Sequence, residues 1–247
     1  MSDTAQDRLR LGARRAWYEV KTLVAPYPAL AIPIARRRHG VTLAADTEIV
    51  IEGFPRTGTT FAEKAFAMAQ GRPVRVACHV HAPAQLIGAA RRGIPAIAIV
   101  RAPEETVLSF VIRHTHIPIR QALRGYIRFH EPLVPYRDRL VVAPFDEVTS
   151  DFGLAIRRVN ERFGTSFLVF EHTDANAQRV FQEIDRAYGG REERGDALER
   201  IVARPSETRR EIKKGLQTEY RAPGLARLRA RAERAFEALA RTAPART

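Results

Sequence analysis

Gly53-Phe54-Pro55-Arg56-Thr57-Gly58-Thr59-Thr60 decides how the rest of the chain is read. A short apolar run, Glu48-Ile-Val-Ile-Glu-Gly53, leads into it, and a helical pattern from Thr59 to Gln70 leads out. Strand, glycine-bounded loop and helix start, in that order, build a cradle for an anion. Glycines let the backbone approach the charge, and unpaired N–H groups at the helix start point at it along the helix dipole. The same alternation continues outward. Val74 to Val80 alternates and is rich in Val, Ala84 to Arg92 reads as a helix stopped by Gly93, and Ala96-Ile-Ala-Ile-Val100 is a wholly apolar strand. Glu104 to His114 is a helix opening after Pro103, Leu140 to Ala143 a short strand, and Val148 to Phe163 a helix ending at Gly164. Apolar strands separated by helices predict an α/β fold of three layers, α/β/α, with a central parallel sheet covered on both faces. The charged helical pattern beyond about Glu171 predicts a helical C-terminal extension folded back on that domain.

With 247 residues, 45% of them hydrophobic and 28% charged, the chain has the make-up of an ordinary globular domain. A disordered tail, a collagen and a membrane bundle are excluded. The one cysteine, Cys78, leaves no intrachain disulfide and no Cys-rich metal site, and fits a reducing, cytoplasmic location. Forty-one basic residues against 28 acidic give a formal charge of +13, which favours a negatively charged partner. Nearly all of the basic residues are Arg; the lysines are Lys21, Lys64, Lys213 and Lys214. Met1 to Arg10 is polar and of mixed charge, unlike a secretory signal. The apolar stretch Leu23 to Ala35 is too short to span a bilayer and carries Pro26, Pro28 and Pro33. Residues 1–47 are therefore expected to be a basic, helical segment packed on a domain of residues 48–247. The flanking Arg14, Arg15 and Arg36-Arg37-Arg38 leave peripheral contact with an anionic membrane surface open.

The Gly53…Gly58 spacing equals that of the nucleoside-triphosphate loop G-x-x-x-x-G-K-[ST], but Thr59 stands where the lysine belongs. A basic residue lies inside the loop instead, at Arg56, and no strand ends in an Asp suited to Mg²⁺. The loop is suited to an anion other than ATP. Pro55-Arg56-Thr57-Gly58-Thr59-Thr60-Phe61 resembles the 5′-phosphosulfate loop of the cytosolic-type sulfotransferases. Four further segments are similar to that family's motifs, in the family's order between Ile49 and Tyr220. They are Val80-His81-Ala82-Pro83, the strand Ala96–Val100 followed by Arg101-Ala102-Pro103 and Ser109, Pro144-Phe145-Asp146-Glu147-Val148, and Lys213-Lys214-Gly215. Phe61 departs from the family's commoner Trp, and Phe145 from a frequent Tyr.

The resemblance implies a P-loop nucleotide-hydrolase-like sulfotransferase fold and a definite chemistry. The donor would be 3′-phosphoadenosine 5′-phosphosulfate (PAPS), the product adenosine 3′,5′-bisphosphate (PAP), and no divalent metal would be needed. Arg56 would hold the bridging oxygen and the transferred sulfonate, while Thr57, Gly58, Thr59 and Thr60 would give N–H and hydroxyl donors to the 5′-phosphosulfate. Phe61 would stack on adenine. Arg101 and Ser109 would bind the 3′-phosphate, with Lys213, Lys214 and Gly215 as a mobile clamp. His81 would be the catalytic base, since an imidazole titrates near neutrality; His79 would lie on the same face of the second strand and is the other choice. The acceptor would be a hydroxyl or amine of a small molecule, a glycolipid or a carbohydrate, met in part by Ile117 to Tyr136, with His114 and His116 at the surface or in the acceptor pocket. No specific nucleic-acid contact is implied, and the oligomeric state is open. Plainer roles compete: a strand-end charge and a helix cap for Arg101 and Ser109, a solvated face for Lys213 and Lys214, a core position for Phe61. So do two other functions, a P-loop kinase or nucleotide-binding protein with a degenerate loop, and a basic protein docked on membrane or nucleic acid.

Overall fold

Ile49–Gly53 (β1), Val76–Ala77 (β2), Ala96–Val100 (β3) and Val141–Pro144 (β4) form one parallel sheet in the order β2-β1-β3-β4. The computed structural model describes residues 3–39, 41–189 and 207–241; of the segment 48–247, residues 190–206 and 242–247 lie outside the described residues. β1 and β3 are buried along their whole length and composed largely of Ile, Val and Ala, as strands covered on both faces must be. Val50, Ala98 and Val100 enter one apolar cluster, and Ile49, Ile51, Ile97 and Ile99 another. The first cluster is closed by α4 (Pro83–Arg92), α5 (Pro103–Arg113), α6 (Ile119–His130) and, in chain order, α10 (Ala226–Ala240); the second by α3 (Thr59–Ala69), α7 (Phe145–Phe163) and α8 (Asp174–Gly189). This is the three-layer α/β/α architecture with a central parallel sheet. A 3₁₀ segment, Glu131–Arg139, joins α6 to β4.

Strand order reverses between β1 and β3. From β1 the chain steps to β2 on one side, crosses back, and continues through β3 to β4 on the other. The loops leaving β1 and β3 therefore diverge over opposite faces and leave a crevice beyond their carboxyl ends, the usual ligand site of open α/β sheets. Those two loops carry Arg56 and Arg101.

One sequence expectation changes. The strand over Val74 to Val80 shrinks to Val76–Ala77, because the N–H groups of Val80 and His81 donate to the Glu52 carboxylate (2.9 and 3.1 Å) instead of continuing the ladder. The proline-bearing N-terminal stretch is two helices, α1 (Asp3–Val24) and α2 (Pro28–His39), with Pro33 inside α2. Pro28 takes the first helical position, where its missing N–H costs nothing. Tyr18 of α1 enters a notch at Gly125 of α6, where any Cβ would overlap the Tyr18 hydroxyl. Beside it Glu19 receives Arg124 (3.2 Å) and Arg128 (2.5 Å). Helix α9 (Glu207–Arg221) packs on α5, and α10 on α6.

His130 of α6 is fully buried, its ring stacked 3.8 Å from that of Tyr126 and its Nδ1 2.7 Å from the Tyr126 carbonyl. Burial holds its pKa down to about 4, against the raising effect of that hydrogen bond. The unfolded imidazole takes up a proton near pH 6.5 and the folded one does not, so stability is complete above that pH and falls as the solution is acidified towards pH 4. The unfolding free energy from urea titrations between pH 7.5 and 4.5 should fall by up to about 1.4 kcal/mol per pH unit for this group. His130→Phe should flatten the slope, and an unchanged slope in that variant would remove His130 from the account.

Candidate active site

The loop Gly53–Gly58 is held from within. A Cβ on Gly53 would overlap Thr57 Oγ1 and lie 2.8 Å from the Ile99 carbonyl oxygen, so only glycine lets the chain leave β1 here. Thr57 is fully buried and its hydroxyl donates to the Phe54 carbonyl (2.8 Å), with Thr59 Oγ1 at 3.4 Å. The Thr57 hydroxyl is thus a strut of the loop and not the ligand donor expected from sequence. Gly58 adopts a left-handed backbone (φ 87°) and precedes α3, whose first hydrogen bond runs from Ala62 N–H to the Gly58 carbonyl. The N–H groups of Thr59, Thr60 and Phe61 accordingly have no acceptor within the helix and face the crevice end of α3.

Arg56 and Arg101 meet at one place. Arg56 Nε donates to Ser109 Oγ of α5 (3.1 Å), and Arg101 Nη1 donates to the Arg56 carbonyl (3.2 Å). Tyr126 Oη donates to the Arg101 carbonyl (2.7 Å), fixing the end of β3. Phe145, the first residue of α7, ties the same groups together. The Arg101 Cζ lies 3.9 Å from its ring centroid, and a Cβ on Gly58 would be 3.3 Å from two carbons of that ring. The guanidinium–ring contact uses the quadrupole of the aromatic face, so Phe serves without a hydroxyl. Sequence placed Ser109 with Arg101; the structure places it on Arg56.

Glu105, one helical turn beyond Arg101, sits among these cations. Arg101 Nη2 donates to its Oε2 (3.3 Å), and Lys213 of α9 binds both of its carboxylate oxygens. Burial lowers the Arg101 pKa, opposed by the charges of Glu105 and Asp146, and the guanidinium stays charged at neutral pH. Lys214 is exposed on the next position of α9. Gly215 lies within the helix, and a Cβ there would meet nothing within 4 Å, so no close approach by this chain's own atoms requires it. Phe61 also departs from its expected role. It is buried on α3 against Phe170, His172 and Phe181, with ring centroids 6.3, 5.5 and 5.4 Å away, because its helical phase matches Ala65 and the core face.

His81 projects from the loop after β2. Its Nδ1 is 2.9 Å from the Gly53 carbonyl, which can only accept, so the neutral ring carries its proton on Nδ1 and leaves Nε2 as the basic atom. Glu52 Oε1 is 3.4 Å from the same nitrogen and balances the charge of an imidazolium. Glu52 is fully buried in β1 and also receives the N–H of Gly53 (3.1 Å) and Gln85 Nε2 (3.2 Å), besides the N–H groups of Val80 and His81. Burial pushes its pKa up, and these donors pull it back. His79 lies 3.8 Å from Glu63 Oε2, and its ring centroid is 5.9 Å from that of His81. Among the described residues, the non-glycine positions with positive φ are Arg56 (76°), His79 (61°) and His81 (53°). All three lie in the two loops of this site, where strained backbone is held by its surroundings.

Sequence reasoning missed Glu52, Glu105 and the placement of His114. Glu52 carried a signal, a charged residue inside an otherwise apolar strand. His114, whose ring centroid is 4.5 Å from that of Phe110, is held down to about 4 by burial and by Arg113, His116, Arg56 and Lys21. It is therefore a neutral imidazole within the field of Arg56.

Among solved structures the chain is similar to mouse sulfotransferase SULT7A1 complexed with PAP, at 12% identity over 82% of this chain and 88% of that one, with a TM-score of 0.43. A likeness of that extent bears no functional weight. No protein-family model and no curated protein matches the chain.

Proposed function

We propose that this chain is a sulfotransferase, moving a sulfuryl group from PAPS to a hydroxyl or amine acceptor. One observation carries the proposal: the guanidinium of Arg101 is bonded to the carbonyl of Arg56, in a loop whose first residue also fixes the ring of His81. Two cations, a helix start and an oriented imidazole thus lie on the loops that leave β1, β2 and β3. The N–H groups of Thr59 and Thr60, with the Thr60 hydroxyl, hold the 5′-phosphosulfate, and Arg56 meets the charge that builds on the bridging oxygen and the sulfonate. Arg101 takes the 3′-phosphate, with Lys213 and Lys214 closing over it from α9. The acceptor oxygen or nitrogen forms its bond to sulfur as the bond from sulfur to the bridging phosphate oxygen breaks. His81 Nε2 receives the acceptor's proton, and the phosphate leaves with the electron pair. Metal is not part of this scheme, and the acceptor is a small molecule, a glycolipid or a carbohydrate. No described helix is long and apolar enough to cross a membrane, and the enzyme would work in the cytoplasm.

Calorimetric titration with PAP, in EDTA and in Mg²⁺, tests the class. Tight binding, equal in both buffers and at least about tenfold tighter than ATP, is the expected result. Preference for ATP with a requirement for Mg²⁺ would instead make the loop a degenerate kinase site.

A further inference from the structure

From Leu9 to Leu23 the outward face of α1 is apolar. Leu9, Ala13, Ala16, Val20 and Leu23 follow one another at steps of four and three residues, which places them on a single stripe of the helix. Leu9 is 74% exposed, Val20 50% and Leu23 53%, and Trp17 at the stripe's edge is 47% exposed. Past the turn at Ala25–Tyr27, α2 continues the surface with Leu30 at 54% and Ile34 at 46%. Over 22 residues α1 alone runs roughly 33 Å. Among the described residues no neighbouring element covers it: α1 turns its opposite face, with Arg15, Tyr18 and Glu19, onto α6 and the segment at His116.

Charge selects the occupant. Arg10, Arg14 and Lys21 line one flank of the stripe, all exposed, and Arg36 and Arg37 follow on α2. On the other flank Glu19 is already engaged by Arg124 and Arg128. A basic flank beside an apolar stripe, with an aromatic residue at the boundary, complements a lipid surface whose headgroups are anionic and whose interior begins just below them. A second copy of the chain would set basic flank against basic flank, and nucleic acid would gain nothing from the apolar stripe.

We propose that α1 and α2 together form a docking face for an anionic bilayer, with α1 lying in the plane of the interface and Val20 and Leu23 below the headgroups. The site sits apart from the nucleotide crevice and does not depend on the proposed function. It is mechanically joined to the catalytic loop all the same, since Ala25, Ala31 and Ala35 pack against Val80 and Ala82 on either side of His81.

Trp17 is the only tryptophan of the chain, so its fluorescence reports the docking of the full-length protein directly. On phosphatidylcholine vesicles containing about 30% phosphatidylglycerol, its emission should move to the blue and be quenched by brominated acyl chains. Pure phosphatidylcholine vesicles should give little of either. The pair Val20→Glu, Leu23→Glu should lower co-sedimentation with the anionic vesicles roughly tenfold or more. The triple variant Arg10→Gln, Arg14→Gln, Lys21→Gln should lower it by about a hundredfold. These positions are exposed, and an unchanged far-UV spectrum verifies that each variant is folded. Unshifted Trp17 emission on the anionic vesicles, or co-sedimentation indifferent to the apolar pair, would overturn the proposal. So would a dimer in analytical ultracentrifugation that Leu23→Glu dissolves, because a second copy would then be the occupant.

Discussion

His81→Ala is expected to lower kcat by about a thousandfold while PAP affinity changes by no more than about twofold. The split follows from the bonds around the ring. Nδ1 is engaged by the Gly53 carbonyl and the Glu52 carboxylate, so the neutral ring has its basic lone pair on Nε2, and both of these partners belong to β1 and neither to Arg101 nor to α3. Donor binding therefore survives the loss of the ring, and proton removal does not. His79→Ala, at a ring engaged with Glu63, should keep most of the activity. Initial-rate kinetics with a responsive acceptor, beside a PAP titration of the same protein, separates the outcomes. Full activity in His81→Ala would move the base elsewhere even with the nucleotide site intact.

Arg101→Ala should weaken PAP binding by about a hundredfold, the loss of a charge-assisted pair in a partly enclosed site. The change also removes a hydrogen bond to the Arg56 carbonyl and the cation from the Phe145 ring, so the 5′ end of the nucleotide is held less firmly as well. Glu105→Gln pushes in the opposite direction. Its carboxylate pairs with Arg101 and Lys213 in the protein without nucleotide, and an arriving phosphate must take both cations from it. PAP should bind Glu105→Gln several-fold more tightly than the natural chain. Equal affinities in all three proteins would mean that this group of side chains meets no phosphate.

Much of this site was legible because its parts are local. Strand, loop and helix around Gly53–Thr60 follow from the periodicity of their own residues, and β3 and α5 present Arg101 and Ser109 at positions fixed by their own start signals. What could not be read lies in bonds between distant segments. Glu52 draws the N–H groups of Val80 and His81 away from the sheet, so an alternating Val-rich run ends as a two-residue strand. Lys213 reaches Glu105 across 108 positions, and a lysine pair on a charged helix gives no sign of its partner. Phe61 went into the core because four aromatic side chains meet there, three of them contributed by a segment more than a hundred residues later.

Glu52 and Gly53 are consecutive, one orienting the His81 loop and the other opening the Arg56 loop, and β3 sets both through the pairing of Glu52 with Ala98 and Gly53 with Ile99. β1 therefore works as a ruler with two marks one residue apart. A single residue inserted ahead of Glu52 would turn its carboxylate to the opposite face of the sheet and carry the glycine off its only tolerable place. The proposed proton acceptor and anion cradle would be lost in the same stroke, so natural variation in length should be confined to the loops and never enter this strand.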